Sequence, residues 1–573
     1  MKRLDKRFLT ILSLYLVIIS GFCVAQTRTV GVILNNSSKT FAGYTLFAPK
    51  HNTMTYLINS EGRIMHKWTA SKYEPGQSVY LLENGNLLRT CMTKGKLSTG
   101  GGEGGRVEEY DWNDNLVWEL DFATDTYMQH HDIRPLPNGN IIMLVVESKT
   151  FAEVVAAGFN PSKLQPEVQQ KGIMLPDAVY EIKPTKPKGG QIVWVWRTWD
   201  HLIQDYDATK ANYGIVKNHP ELVDAAGDQK QLPAFWNHMN SIDYNPALDQ
   251  IMLSVRNNSE VWIIDHSTTT VEAAGHTGGK RGKGGDLLYR WGNPICYRTG
   301  TASDQKLYQQ HDAEWVRPDC PGAGNVTVFN NGLGRKYSSI DEFTPPVDAN
   351  GNYTLSVGAP FAPASFAWTY TSTPPTFLYA EAISGAHRLP NGNTIIDDGT
   401  HGTFTEVTST GELVWKYICP VVSTGSLTQG DPIPDDPVRE GEKMNAVFRV
   451  YKYPVTYAAF TGKTLTPGDF VEKYATDVKI NSSGMPENFE LMQNYPNPFN
   501  PVTRIQYNVP SSSLVKLAVY DILGNEIKVL TDEVKAPGTY EAEFNASSLS
   551  SGVYFYTLKA GGFTSAKKMT LMK

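Results

Sequence analysis

Twelve histidines occur in 573 residues, and three of them hold the same place in a recurring phrase. Seven residues before the turn asparagines Asn84, Asn138, Asn245 and Asn391 stand Gln77, His131, His238 and Ser384. In a fifth, degenerate copy, His311-Asp312-Ala313-Glu314 mirrors His131-Asp132-Ile133-Arg134. An imidazole near neutral pH can act as nucleophile, base or acid. A single His is most often a structural hydrogen-bonding group; three at equivalent repeat positions point to a shared function. Asn240 lies two residues after His238, on the same face of a regularly alternating strand. Six residues past the end of each turn come Met92, Val146, Arg256, Asn331 and Gly399. Arg256 breaks an otherwise apolar run. A guanidinium beside imidazoles suits a tetrahedral oxyanion; the plain alternative is a surface Arg at a strand end. His387 and His401 are competing candidates. His130 faces away from His131 if the strand alternates.

The elements that must position these groups are strands. Leu81-Leu82-Glu83-Asn84-Gly85-Asn86, Leu136-Pro137-Asn138-Gly139-Asn140 and Leu389-Pro390-Asn391-Gly392-Asn393 are each a turn between apolar β-type runs, predicting hairpins. Weaker copies lie at 245–250 and 321–325. Most are followed by a second pair of strands with an aromatic outer member. Examples are Leu116-Val117-Trp118, Ile192-Val193-Trp194 and Leu413-Val414-Trp415. Four strands per repeat, about six times over, is the arithmetic of a β-propeller. Its innermost strands line a central channel, so equivalent strand ends converge on one mouth. The region Thr29 to Leu46 is expected to close the ring. After Tyr453 the pattern stops. The fold class expected is all-β: a six-bladed β-propeller over 26–463, a linker over 464–488, and a small C-terminal β-sandwich over 489–573.

Residues 1–25 read as a signal peptide: Lys2, Arg3, Lys6 and Arg7, an apolar run from Phe8 to Gly21, then Cys23-Val24-Ala25. That run is short for a membrane span, and no later stretch is apolar enough. A lipoprotein reading through Cys23 is weaker, because bulky Phe22 precedes it. Lys and Arg total 52 against 58 Asp and Glu, a net charge of −6, which gives no reason to expect nucleic acid. Cys91, Cys296, Cys320 and Cys419 lack a CxxC pair and no HExxH occurs, so zinc is not expected. They are either buried thiols or disulfides, Cys296–Cys320 being the favoured pair. The Gly-rich stretch 100–105 fits a flexible loop. The stretch 278–284 lacks the Ser/Thr and the strand–helix frame of a phosphate loop. Asp348 to Asn352 reads as a turn rather than a calcium loop.

Two resemblances add to this. The tail is similar to the C-terminal sorting domain of the type IX (Por) secretion system. It carries Gln493-Asn494-Tyr495-Pro496-Asn497-Pro498-Phe499-Asn500-Pro501, Tyr520-Asp521-Ile522-Leu523-Gly524, Ser551-Gly552-Val553-Tyr554-Phe555-Tyr556 and a basic end at Lys567, Lys568 and Lys573. The resemblance implies that the type IX machinery is a partner, and that the protein is secreted or displayed at the cell surface. Residues 40–455 resemble the bacterial arylsulfate sulfotransferases. The likeness rests on His238-Met239-Asn240-Ser241, Arg256, Gln310-His311-Asp312-Ala313 and Phe329-Asn330-Asn331-Gly332. That family is a six-bladed propeller that transfers sulfate from a phenolic ester to a phenol, with no nucleotide donor and no cofactor.

What the second resemblance implies is concrete. His311 matches the nucleophile, which becomes a sulfohistidine. His238, Asn240 and Arg256 match the sulfate holders. His131 matches a further channel His, here read as the acid and base. Thr400 is the candidate for a channel Thr. Trp236 and Tyr308 either stack on the aryl ring or pack. Too few residues precede the first blade for the dimerising N-terminal sandwich of enteric members. The rival readings are a non-catalytic propeller that binds surface glycans or proteins, and a quinone-dependent dehydrogenase.

Overall fold

The computed structural model describes residues 28–93, 97–225, 230–356, 358–474, 488–535 and 537–573. The expected signal peptide lies outside them. No helix among the described residues is long and apolar enough to cross a membrane. The chain is all-β and divides into two compact units, 28–475 and one containing 476–573.

In the first unit, antiparallel sheets follow one another along the chain. The second sheet runs Pro75–Leu81, Leu87–Met92, Gly105–Tyr110, Leu116–Asp121. The third runs Tyr127–Pro135, Ile141–Glu147, Asp177–Pro184, Gly190–Arg197. Met239–Asn245 opens the fourth, His311–Trp315 the fifth and Gly385–Arg388 the sixth. The hairpin phrases form as expected: Leu136 N donates to Asn140 O, and Gly85, Gly139 and Gly392 take φ of 88°, 84° and 85°. A Cβ is strained at that φ, which is why Gly recurs there.

Each sheet buries one face against the next. One core joins Tyr80, Leu88 and Trp118 to Ile133, Met143 and Tyr180. The next joins Ile142, Leu144 and Trp196 to Ile251, Leu253 and Trp262. The series closes where Phe47, Tyr56 and Ile58 of the first sheet meet Phe404, Trp415 and Tyr417 of the sixth. Outer-strand tryptophans cross the seams. Trp68 donates to Asp111 O, Trp118 to Gly189 O, Trp368 to Ser409 O and Trp415 to Ser60 O. An indole offers a large apolar surface and one donor, so it both packs and locks the next sheet.

The region Thr29 to Leu46 supplies strands to both the first and the sixth sheet, and a C-terminal strand is added. Gly43–Phe47 pairs with Tyr451–Pro454, so the last strand of the unit completes the first sheet from the inside. Gly31–Asn35 instead adds a fifth, outer strand to the sixth sheet, against Leu413–Ile418. The first part of the expected linker packs onto this unit: Phe470 bridges to Arg63, and Val471 is buried with Tyr417. The expected Cys296–Cys320 pair is not formed. All four described cysteines are buried thiols, with Cys296 against Asn258 O and Cys320 against Arg388 O. Asp348 to Asn352 is a turn, its carboxylate accepting from Asn350 N and Asn352 N.

The second unit has a three-stranded sheet around Val502–Val509 and a four-stranded sheet around Ser513–Tyr520. They share a core that includes Ile505, Tyr507, Leu517, Phe544, Tyr556 and Met569.

Candidate active site

The repeat register has a backbone signature. Gln77, His131, His238 and Ser384 all take positive φ, at 110°, 45°, 54° and 84°. Left-handed backbone is costly for residues other than Gly and marks positions held by their surroundings. The strand pairings are irregular at the same places, between Met143 and Val145 and between Met239 and Ser241. In the fifth sheet His311 lies between two left-handed residues, Gln309 and Asp312, both at 56°. These bulges turn the side chains at the strand starts away from simple alternation.

The first strands are tied to one another by side chains that reach the neighbouring backbone. Ile242 N donates to Asp132, Ala313 N to Ser241, Trp315 N to Asp243 and Ala386 N to Asp312. The imidazoles are thereby gathered. The rings of His131 and His238 are 5.0 Å apart. His238 also stacks on Phe235 at 4.3 Å, and Phe448 lies 6.0 Å from His131. His131 and His311 are buried, and His238 is half-buried. Burial holds His131 and His238 well below the usual imidazole range, and the charge of Arg256 pushes the same way. His311 is lowered to about 3 by burial and by Arg256, with its bond to Asn331 opposing. All three are therefore neutral at physiological pH.

The tautomer of His311 is fixed. Asn331 Nδ2 donates to Ala380 O at 2.8 Å and Ile383 O at 3.1 Å, which orients the amide. Its Oδ1 then accepts from His311 Nδ1 at 2.8 Å. The proton sits on Nδ1, and the lone pair sits on Nε2.

Arg256 follows the second strand of the fourth sheet, its N–H donating to His238 O. Burial lowers its guanidinium to about 10, with Glu381 opposing. No carboxylate lies within 4 Å of it among the described residues; its side chain donates to Asn257 Oδ1. Asn240 Nδ2 donates to Gln310 O beside His311, and its Oδ1 is buried without a partner among the described residues. A cavity of about 590 Å³ reaches His238 and Arg256, lined also by Phe235, Asn257 and Gln309, with Lys171 at its side; His131, Asn240 and His311 lie behind its wall.

The other predicted positions are placed as follows. His130 does not point away from His131. The bulge brings their Nδ1 atoms to 3.0 Å, and His130 Nε2 lies 2.9 Å from Asp177, both fully buried. Trp236 is buried against Phe159, so the aromatic at the cavity is its neighbour Phe235. Tyr308 lies under Arg335. The Thr400 hydroxyl is engaged with Asp398 and His401, and no hydrogen bond joins it to the three imidazoles among the described residues. His401 pairs with Asp398. His387 lies against Glu314 and stacks on Tyr451.

Two features escaped the sequence. Gly102 lies flat against His131: its carbonyl accepts from His131 N, and a Cβ there would fall 1.8 Å from the ring. Arg449 sits buried between Asp132 and Asp312, 2.7 Å from each, directly after the sequence positions of His131 and His311.

Residues 32–431 match the family Arylsulfotransferase (ASST), about 70% of the chain. The chain belongs to the arylsulfotransferase family. Residues 493–572 match the secretion system C-terminal sorting domain, so this arylsulfotransferase-family chain is sorted by type IX secretion to the cell surface or exterior. No curated protein matches it. Similar solved structures include a protein of unknown function from Bacteroides caccae, 11% identical, TM-score 0.37, covering 72% of this chain and 98% of that one. A virginiamycin B lyase from Staphylococcus aureus is 10% identical, TM-score 0.31, covering 69% and 89%. The periplasmic gluconolactonase PpgL of Pseudomonas aeruginosa is 9% identical, TM-score 0.31, covering 87% and 99%.

Proposed function

We propose that the first unit is a six-bladed propeller, followed by a sorting sandwich, and that it transfers a sulfuryl group from an aryl sulfate to a phenol through His311. The observation that carries this is a neutral imidazole, its Nε2 lone pair freed by the Asn331 bond, grouped with a half-buried guanidinium at the cavity wall that has no carboxylate within 4 Å among the described residues. A cation of that kind is complementary to an anion.

In the first step His311 Nε2 attacks sulfur. The N–S bond forms, the S–O(aryl) bond breaks, and its electron pair leaves on the phenolate. The ring now carries a positive charge and keeps its Nδ1 proton on Asn331. Arg256 and His238 face the sulfuryl oxygens, and the second N–H of Asn240 is the remaining donor. In the second step His131 takes the proton of the acceptor phenol, whose oxygen bonds to sulfur as the N–S bond breaks and its electron pair returns to His311 Nε2; His131 then gives the proton up to the departed phenolate or to water. Asp177 and His130 stand behind His131 and orient it. Neutral imidazoles are better bases than acids, so the leaving phenolate departs largely unaided. Donors with acidic phenols are therefore favoured.

The test is sulfate exchange from 4-nitrophenyl sulfate to phenol, by wild type and His311→Ala. Turnover by wild type with loss in the variant supports the reading. Equal activity in both removes His311 from the reaction, and no turnover by either favours a binding propeller.

A further inference from the structure

A second cluster of imidazoles lies outside the cavity. His201 ends the short turn Thr198–His201 that follows the outer strand of the third sheet, and its ring is fully buried and stacked on Trp196. Its Nε2 is 2.8 Å from Ala273 O. A carbonyl only accepts, so that nitrogen carries the proton and Nδ1 presents its lone pair. Nδ1 points at Asp286 Oδ1, 2.9 Å away, and the same oxygen is 2.8 Å from His276 Nδ1. The His201 lone pair facing a carboxylate oxygen requires a cation between them, either a proton or a metal ion, and the exposed His276 ring, whose tautomer nothing fixes, can turn a second lone pair to the same point.

The surroundings hold these three atoms in place. Trp196 Nε1 donates to Gly285 O, the residue before Asp286. A Cβ on Gly285 would fall 2.6 Å from His201 Nε2 and 2.0 Å from Ala273 O, so the close approach depends on glycine. Two cations of the same loop are drawn elsewhere: Lys280 pairs with Asp249 and Arg281 with Asp265. The His276 side chain is 60% exposed, which leaves one side of the cluster open to water.

We propose that His201 Nδ1, His276 Nδ1 and Asp286 Oδ1 bind a zinc ion, with water in the fourth position. Two imidazoles and one carboxylate suit zinc rather than calcium or magnesium, which prefer oxygen. The His201 Nε2–H on a backbone carbonyl is the outer bond that metal-bound histidines ordinarily make. Zinc bonds of about 2.0–2.2 Å need the ligand atoms a few tenths of an ångström further apart than they stand. The ion would staple the turn at 198–201 to the loop at 274–286.

The experiment is calorimetric titration of the full, tag-free, chelator-stripped protein with zinc chloride, in parallel with thermal unfolding. One equivalent should bind, and the midpoint of unfolding should rise. His276→Ala changes an exposed ring and spares the core; it and Asp286→Asn should each weaken binding about 100-fold. Absence of zinc binding, or wild-type affinity in either variant, overturns the assignment.

Discussion

The same side chain serves different ends according to what its second nitrogen meets. His311 has Nδ1 on an amide oxygen, which frees Nε2 and leaves the ring neutral. His266 lies between Asp249 and Glu181 and, against the cost of burial, is raised to about 9. His311 is lowered to about 3, so its lone pair persists on acidification far below the ordinary value of about 6.5. The release of 4-nitrophenolate in a single turnover should therefore be level from about pH 8 to about pH 5; a fall centred near 6.5 would mean a solvated imidazole. Asn331→Leu removes the bond that fixes the tautomer. Steady-state kinetics should show kcat reduced on the order of 100-fold, with the donor KM little changed. The register of repeats made Arg256 and Asn331 visible as a pair of equivalent positions. The role of Asn331 was not visible, because it depends on the carbonyls of Ala380 and Ile383 some fifty residues on.

At the level of elements, the turns and strand periodicity were readable because Asn-Gly chemistry and apolar alternation are local. The bulges were not. They set the left-handed backbone at His131 and His238 and undo the alternation that placed His130 on the opposite face. The Gly-rich stretch had the composition of a flexible loop, but Gly102 and its carbonyl form the wall behind His131. A methyl group there would displace the ring, and φ of 69° at that residue adds backbone strain. Gly102→Ala should lower the second half-reaction, transfer to the acceptor, by about tenfold or more, while the phenolate burst from His311 survives. Rapid-quench kinetics separates the two; equal losses in both would show that Gly102 acts on the whole site.

At the scale of the first unit, the repeats pointed to successive four-stranded sheets, but not to how the first of them is completed. Tyr451–Pro454 and Gly43–Phe47 pair across some four hundred residues, and nothing local encodes that partnership. The same closing segment brings in Arg449, whose guanidinium ties the third and fifth sheets through Asp132 and Asp312. Removing one partner of a buried charge group leaves the others uncompensated. Arg449→Met should destabilise the unit by about 3–5 kcal/mol in urea unfolding; a loss near zero would mean the carboxylates are neutral. Closure also makes the chemistry possible, since His131, His238 and His311 begin three different sheets. The most direct test of that convergence is mass spectrometry of the protein mixed with 4-nitrophenyl sulfate in the absence of acceptor. The account predicts one acid-labile sulfuryl group on His311, lost when phenol is added and absent from His311→Ala. A sulfuryl group on another residue, or none during active turnover, would contradict it.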